Sequence, residues 1–278
     1  MTNVPMWKLN NGVEMPSLGY GVFMVEEGED VYNAVLEALK SGYRLIDTAA
    51  AYGNEEGVGR AIKDSGLRRD EVFITTKVQN KDQGFDNTLA AFQTSLEKLG
   101  TDYIDLYLIH WPGKDLYVET YKAMEKLYKE GKVRAIGVCN FHIPHLKNLM
   151  MACEVKPAID QIELHPLMNQ KEIREFCKLM DIQVEAWGPL MQSKGDLSAF
   201  VFQELSDKYQ KTSAQIILRW HHQNGVIVIP KSVTPSRIKE NMNIFDFELA
   251  PEDMKKINAY NLDKRLSADP DTNMRGFL

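Results

Sequence analysis

Eight short apolar runs recur along the chain at near-regular intervals. They are LGYGVF, RLIDTA, VFITTK, DLYLIH, VRAIGVC, AIDQIEL, IQVEAW and VIVIPK. Each is continuous, not alternating, which is how a strand covered on both faces reads. Between them lie segments of helical period. In DNTLAAFQTSLEKLG, Leu89, Phe92, Leu96 and Leu99 follow one another at spacings of three and four, with Asp86 as the expected N-cap and Gly100 as the closing residue. TYKAMEKLYKEGK closes at Gly131, where a glycine can take the left-handed conformation that ends a helix. Residues 198–224 hold two helices, with a fresh start at Thr212-Ser213, and Pro251 suits the first turn of a last one. Ahead of the first run, two short extended arms flank Asn11-Gly12, a hairpin signal.

Strand and helix alternating eight times imply parallel strands with right-handed crossovers. Eight units in about 250 residues match a closed (β/α)8 TIM barrel. An open doubly wound sheet would carry a G-x-G-x-x-G turn after its first strand. GNEEGVG follows the second run with its glycines in another order, and reads as a turn and a helix-packing surface. No Pro/Gly/Ser-rich linker divides the chain, so residues 1–278 are expected to form a single barrel domain with an N-terminal β-hairpin and extra helices near the C-terminus.

Composition narrows the function classes. Hydrophobic residues make up 44% and charged residues 26%, with a net charge of -6. Without a basic cluster, neither nucleic acid nor a membrane surface is an expected partner. No apolar run approaches the length of a membrane span, and the N-terminus lacks the pattern of a secretory signal. Cys139, Cys153 and Cys177 are odd in number and show no C-x-x-C pair. Free thiols in a reducing cytoplasm are the expectation.

Chemistry in such barrels is done at the carboxyl ends of the strands. The residues closing the runs are Asp47, Lys77, His110, Asn140, the group Gln161, Glu163 and His165, then Trp187 and Lys231. Tyr52 follows the second run closely. An acid, an amine, a phenol and an imidazole in one partly dry pocket perturb one another. Lys77 beside Tyr52 is expected to lower the phenol's pKa, Asp47 to hold Lys77 charged, and His110 to donate toward an oxygen near Tyr52. That is a proton donor aimed at a developing alkoxide, the need of carbonyl reduction. A hydride must come from a cofactor. Trp187 offers a flat face for a nicotinamide, and Asn140 and Gln161 suit its carboxamide. Lys231, Ser232 and Arg237 follow the eighth run at a helix start, where barrels often hold phosphate. Two cations there favour NADPH over NADH.

With these residues in view, the chain resembles an aldo-keto reductase. The matching motifs are GYRLIDTAAAYGNEEGVG, LYLIHWPG, RAIGVCNF, QIELHPL, AWGPL and IPKSVTPSRIKEN, in order from Gly42 to Asn241. It is similar to the short bacterial and protozoan branch that includes diketogluconate reductases and prostaglandin F synthases. The resemblance implies a catalytic tetrad of Asp47, Tyr52, Lys77 and His110, with Tyr52 as general acid. It implies a cofactor site of Cys139, Asn140, Gln161, Trp187, Gly188, Pro189 and Leu190, continued by Lys231, Ser232, Val233, Arg237, Glu240 and Asn241. Glu240 and Asn241 would lie near the adenine, and Arg237 would mark the NADPH preference. Phe23, Trp111, Gln79 and the C-terminal tail would border the substrate, and a monomer is implied. The chain departs from the family pattern at several points. Phe23 stands where tryptophan is common, Val78-Gln79 where a large aromatic often sits, Cys139 and Gly188 where serine is frequent, and Met191 where glycine is frequent.

Single residues carry little by themselves. Asp47 alone reads as a loop acid, Tyr52 as a packed aromatic and His110 as a core histidine; their shared register reverses this. His142 with His145, and His221 with His222, have metal-like spacing but no acidic or thiolate partner nearby in sequence, so no metal is expected. His165 reads as a structural rim residue, and Glu163 as a barrel-stabilising acceptor. Asp269-Pro270-Asp271 reads as a flexible loop near the substrate. One rival function is a barrel hydrolase. A glycosidase would place carboxylates at facing strand ends, where this chain has His110 and Trp187; a metal hydrolase would carry an H-x-H cluster. The other rival is a barrel that binds NADPH in a regulatory or structural role.

Overall fold

The computed structural model describes residues 4–113 and 115–272. The hairpin forms about Asn11-Gly12. β1 (Met6–Lys8) pairs antiparallel with β2 (Glu14–Pro16), Trp7 opposite Met15, and Gly12 takes a φ of 87° in the turn. Then β3 (Tyr20–Gly21), α1 (Glu29–Lys40), β4 (Leu45–Asp47), α2 (Glu55–Asp64), β5 (Phe73–Val78), α3 (Phe85–Leu99), β6 (Ile104–Ile109) and α4 (Tyr117–Lys129) make the first half. β7 (Val133–Cys139), α5 (Ile143–Ala152), β8 (Ile159–Glu163), α6 (Lys171–Leu179), β9 (Gln183–Trp187), α7 (Phe200–Tyr209), α8 (Ser213–Gln223), β10 (Ile227–Val228), α9 (Pro235–Met242) and α10 (Pro251–Ala259) make the second. Each of the eight apolar runs contains its strand to within one residue: β5 extends past its run to Val78, and β6 starts ahead of its run at Ile104.

Strands β3 to β10 form one parallel sheet in sequence order. Its two ends meet. Leu18 bridges Val228, Gly19 N donates to Val228 O at 2.8 Å, and Gly21 N donates to Pro230 O at 3.2 Å. The sheet therefore closes on itself as a barrel. Glycine is required at this seam: a Cβ on Gly21 would lie 2.9 Å from the carbonyl oxygen of Ile229.

Side chains alternate across a strand, so the barrel has two cores. Leu45, Phe73, Leu106, Leu108, Ile159 and Ile227 fill the interior together with Leu9 and Met15 of the hairpin. Ile46, Ile74, Tyr107, Ile136 and Val184 face outward into the helix layer, against residues such as Val35, Val58, Phe92 and Met124. Burial of each large aliphatic side chain stabilises by roughly 1.5–3 kcal/mol. The hairpin seals the end where the strands begin. Asn10 Nδ2 donates to the carbonyls of Pro157 and Asp181, and Asn11 Nδ2 to that of Arg134. The opposite, C-terminal rim is left for loops.

One helix start differs from expectation. α3 is entered through Gly84, with φ 107°, and Asp86 lies inside the first turn. There its carboxylate faces the positive end of the helix without capping it. Gly100 closes α3 in the left-handed conformation, and α8 starts at a capping box in which Thr212 and Gln215 exchange bonds. Among the described residues, no helix is long and apolar enough to cross a membrane.

Candidate active site at the carboxyl rim

Asp47 ends β4 and Lys77 lies one residue before the end of β5, so both point inward at the rim. Both are buried, and Lys77 Nζ donates to Asp47 Oδ1 at 2.7 Å and to Thr48 O at 2.9 Å. Its third direction faces the Tyr52 hydroxyl at 3.5 Å. Tyr52 is delivered by a short 3-10 turn, Ala50–Tyr52, released by Gly53 at φ 69°. The turn is pinned from below by Asn54. That buried side chain donates to Val22 O and Val25 O and accepts from Thr48 Oγ1. The part Asn54 plays in placing the phenol has no signal in the local sequence.

His110 follows β6, its ring edge-on to Tyr52 with centroids 5.5 Å apart. The four predicted residues are thus brought together. Burial, aided by the Lys77 charge, pushes the His110 pKa down to about 3, so the imidazole is neutral near pH 7. Lys77 stays charged: burial opposes its charge, but Asp47 and then Tyr52 outweigh that and raise its pKa. Tyr52 departs from expectation. Lys77 does pull its pKa down, but burial of the hydroxyl and the Asp47 charge push harder the other way, and the net shift is upward. Asp47 takes the shorter hydrogen bond to the ammonium and partly neutralises the cation that would have acidified the phenol.

The later strands add a polar girdle. Trp187, half-buried at the end of β9, donates through Nε1 to Asn140 Oδ1 at 2.8 Å. Asn140, with φ 64°, donates to His110 O at 3.0 Å and contacts Cys139 Sγ at 3.1 Å. The Gln161 amide turns inward: Nε2 donates to Asp47 Oδ2 at 2.7 Å and to Glu185 Oε2 at 2.9 Å, while Cys139 Sγ–H faces Oε1 at 3.6 Å. Sequence reading missed Glu185. The available signal was a lone carboxylate inside an apolar run, two residues before Trp187 and therefore on the same inward face.

Past Trp187 the chain turns through Gly188 at φ 61° and Met191 at φ 61°; Pro189 O accepts from His221 Nε2 at 3.3 Å, and Leu190 packs on the outer core. Beyond β10, Lys231, Val233 and Arg237 are exposed, and neither cation forms an ion pair among the described residues. Ser232 O accepts from Tyr20 Oη at 2.5 Å, and Ser232 Oγ from Thr234 N at 3.1 Å. α9 has Pro235 in its first turn and no side-chain cap from Thr234. Its start is an uncapped helix N-terminus flanked by two unpaired cations, a donor set that suits phosphate. Glu240 accepts from Thr212 Oγ1, and Asn241 is buried behind it.

At the mouth, Phe23 is 48% exposed and lies 5.0 Å from the Tyr52 ring. Trp111 is half-buried, its carbonyl held by Gln83 Nε2 at 2.8 Å. Gln79 turns its amide to Asp82 at 2.6 Å, an engagement the sequence did not suggest. The C-terminal segment crosses the rim: Leu266 N and Arg265 Nη1 donate to buried Glu163, which also pairs with His165. Asp271 reaches His142 at 2.8 Å and His145 at 3.7 Å, so acidic partners absent in sequence arrive through the fold. His142, Asp269 and Asp271 could converge on an ion. However, Arg265 donates to His142 Nε2, which leaves the proton on Nδ1 toward Asp271, and His145 Nδ1 accepts from His142 N. The His142 ring is thus engaged at both nitrogens, and its bond to Asp271 ties the C-terminal segment to the start of α5. The end of the expected tail, 273–278, lies outside the described residues.

The Aldo/keto reductase family model matches residues 17–262. The chain is 57% identical over 264 residues to the glyoxal reductase of Bacillus subtilis, covering 95% of each protein. It is 50% identical over 274 residues to the methylglyoxal reductase DkgA of Escherichia coli, covering 98% of each. A crystal structure of a Gox0644 mutant in complex with NADPH superposes with a TM-score of 0.93 at 42% identity, covering 98% of this chain and 99% of that one.

Proposed function

The chain belongs to the aldo/keto reductase family, and from that premise we propose that it reduces small aldehydes and ketones to alcohols, 2-oxoaldehydes foremost, with NADPH as reductant and Tyr52 as general acid. The observation that carries this reading is the chain Asp47–Lys77–Tyr52, buried at its acid and amine and half-buried at its phenol, with a neutral imidazole at the phenol's edge. The substrate class rests on the relatives, which are reductases of glyoxal and methylglyoxal.

NADPH, when bound, supplies the hydride. Trp187 and Asn140 would border its nicotinamide, and Lys231, Ser232 and Arg237 with the start of α9 its phosphates. The remaining chemistry belongs to the chain's own side chains. Because burial raises its pKa, Tyr52 keeps its proton throughout the physiological range and is always loaded as an acid. Its proton leaves only when an acceptor oxygen gathers negative charge. Lys77 then faces the new phenolate and stabilises it. Asp47 keeps Lys77 ionised and aimed, and His110, neutral, can donate an N–H to the same oxygen without competing for a proton.

The test is loss of NADPH absorbance with methylglyoxal and a panel of aldehydes, wild type beside Tyr52→Phe. Quenching of tryptophan fluorescence by NADPH with no turnover across the panel would overturn the enzyme reading. Near-normal turnover by Tyr52→Phe would overturn the acid assignment.

A further inference from the structure

The site contains a second buried carboxyl that the proposed reaction does not use. Glu185 is fully buried on β9, and its Oε2 accepts from Gln161 Nε2 at 2.9 Å. The same nitrogen donates to Asp47 Oδ2 at 2.7 Å. An amide nitrogen carries two hydrogens, so both are committed, one to each carboxyl. We propose that Glu185 is a positioning residue. With Asp47 it clamps the Gln161 nitrogen from two sides, and so presents Gln161 to the dinucleotide as a hydrogen-bond acceptor only.

The chemistry follows from the inventory of free groups. With its nitrogen occupied, Gln161 keeps only Oε1, which lies on the Cys139 side. A carboxamide has an NH2 donor and a carbonyl acceptor. Only its NH2 end can meet Gln161, so the clamp selects one of the two ring-flip orientations of a nicotinamide. Without Glu185 one hydrogen of Gln161 would be released, the amide could rotate, and Oε1 would no longer be held where the carboxamide NH2 can reach it. This inference rests on the proposed nicotinamide site.

Charge balance sets the state of the clamp. One ammonium, Lys77, is bonded to Asp47, and among the described residues Glu185 has no cation of its own. Burial first, then the Asp47 charge, push its pKa upward. Its Oε1 has no partner among the described residues and can carry the proton. The groups facing it are Asp47 from β4, Lys77 from β5, the Cys139 thiol from β7 and the neutral Gln161 from β8. Burial keeps Cys139 protonated, and β10 contributes Ile227 and Ile229 to the shared interior. If Glu185 ionises at alkaline pH, its charge adds to that of Asp47 and makes Tyr52 a weaker acid.

The test compares Glu185→Leu, which removes the acceptor, with Glu185→Gln, which keeps it. Glu185→Leu is expected to weaken NADPH binding, read by tryptophan quenching, by about tenfold, the worth of one hydrogen bond. Glu185→Gln should restore most of that affinity. In the cofactor-free protein, the infrared signal of a protonated carboxyl that titrates at alkaline pH should be present in wild type and missing in Glu185→Gln; buried Asp160 contributes equally to both. The alkaline fall of reduction should move up in Glu185→Gln. Wild-type NADPH affinity in a folded Glu185→Leu, or failure of Glu185→Gln to restore it, overturns the clamp. If Glu185→Leu does not fold, identical infrared titrations and pH profiles for wild type and Glu185→Gln overturn it instead. A wild type that binds NADPH but reduces no carbonyl would sink the reductase reading alone, because binding and infrared still report on the clamp.

Discussion

The ammonium of Lys77 lies 3.5 Å from the hydroxyl of Tyr52, a long contact that can shorten when the oxygen becomes an anion. Removing that hydroxyl removes the proton that the proposed reaction hands to the substrate oxygen. Tyr52→Phe should lower kcat by roughly 100-fold to 10,000-fold. Its affinity for NADPH, measured by fluorescence titration, should stay close to that of wild type, because Phe keeps the packing against Phe23 and His110.

Lys77 is a structural as well as a chemical partner. Replacing it by methionine keeps the bulk but leaves Asp47 buried without its cation. Loss of one member of a buried pair costs roughly 3–5 kcal/mol, so Lys77→Met should lower both the urea midpoint and turnover. Asp47→Asn, which leaves the buried ammonium bonded to Thr48 O and still facing an amide oxygen, should lose turnover with a smaller loss of stability.

Two imidazoles should make the protein acid-sensitive. His110 and His221 are both held down to about 3, chiefly by burial. An unfolded chain protonates near the ordinary imidazole value of about 6.5. Both groups have depressed folded pKa values, so the stability they contribute is complete above pH 6.5 or so and is lost as pH falls toward 3. The melting temperature should drop across that window, and less steeply in His221→Gln, whose amide can still donate to Pro189 O. A flat melting temperature from pH 7 to 4 would contradict this.

Arg237 stands exposed in the first turn of α9, without an ion pair among the described residues. Arg237→Ala should raise the Kd for NADPH by about tenfold or more, as expected for loss of a charge-assisted contact to phosphate. The Kd for NADH should change less, and the difference between the two should shrink as salt is added. Equal losses for both nucleotides would place the extra phosphate elsewhere.

Gly59 is a packing requirement. A Cβ there would lie 2.4 Å from the carbonyl oxygen of Leu99, so α2 meets the end of α3 through backbone. Gly59→Ala should destabilise by roughly 1–3 kcal/mol in chemical denaturation, with kinetics per folded molecule unchanged.

The strands, their order and their rim were legible because each left a local trace: a continuous apolar run with one polar residue closing it. Asp47, Lys77, His110 and Trp187 could be placed on one face without coordinates, since strand ends share a direction. What stayed hidden was set by partners distant in sequence. The sign of the Tyr52 shift depends on how deeply the hydroxyl is covered, and no motif encodes coverage. Glu185 lay inside a run read for its apolar neighbours. The pairing of Asp271 with His142 joins residues 129 positions apart, beyond any periodicity. Asp86 misled because capping depends on how the chain enters a helix, and Gly84 made a different entry possible.

The hairpin that seals the lower end makes the barrel a cup with one opening. Whatever enters must leave by the same rim, and the residues that decide what fits are not those that keep the vessel closed. Changes at Phe23, Gln79 or Trp111, which line the open end, are expected to retune what is admitted, while Asn10, Asn11 and the seam at Gly21 hold the wall. An engineer could vary selectivity at one pole and robustness at the other, each with little cost to its opposite.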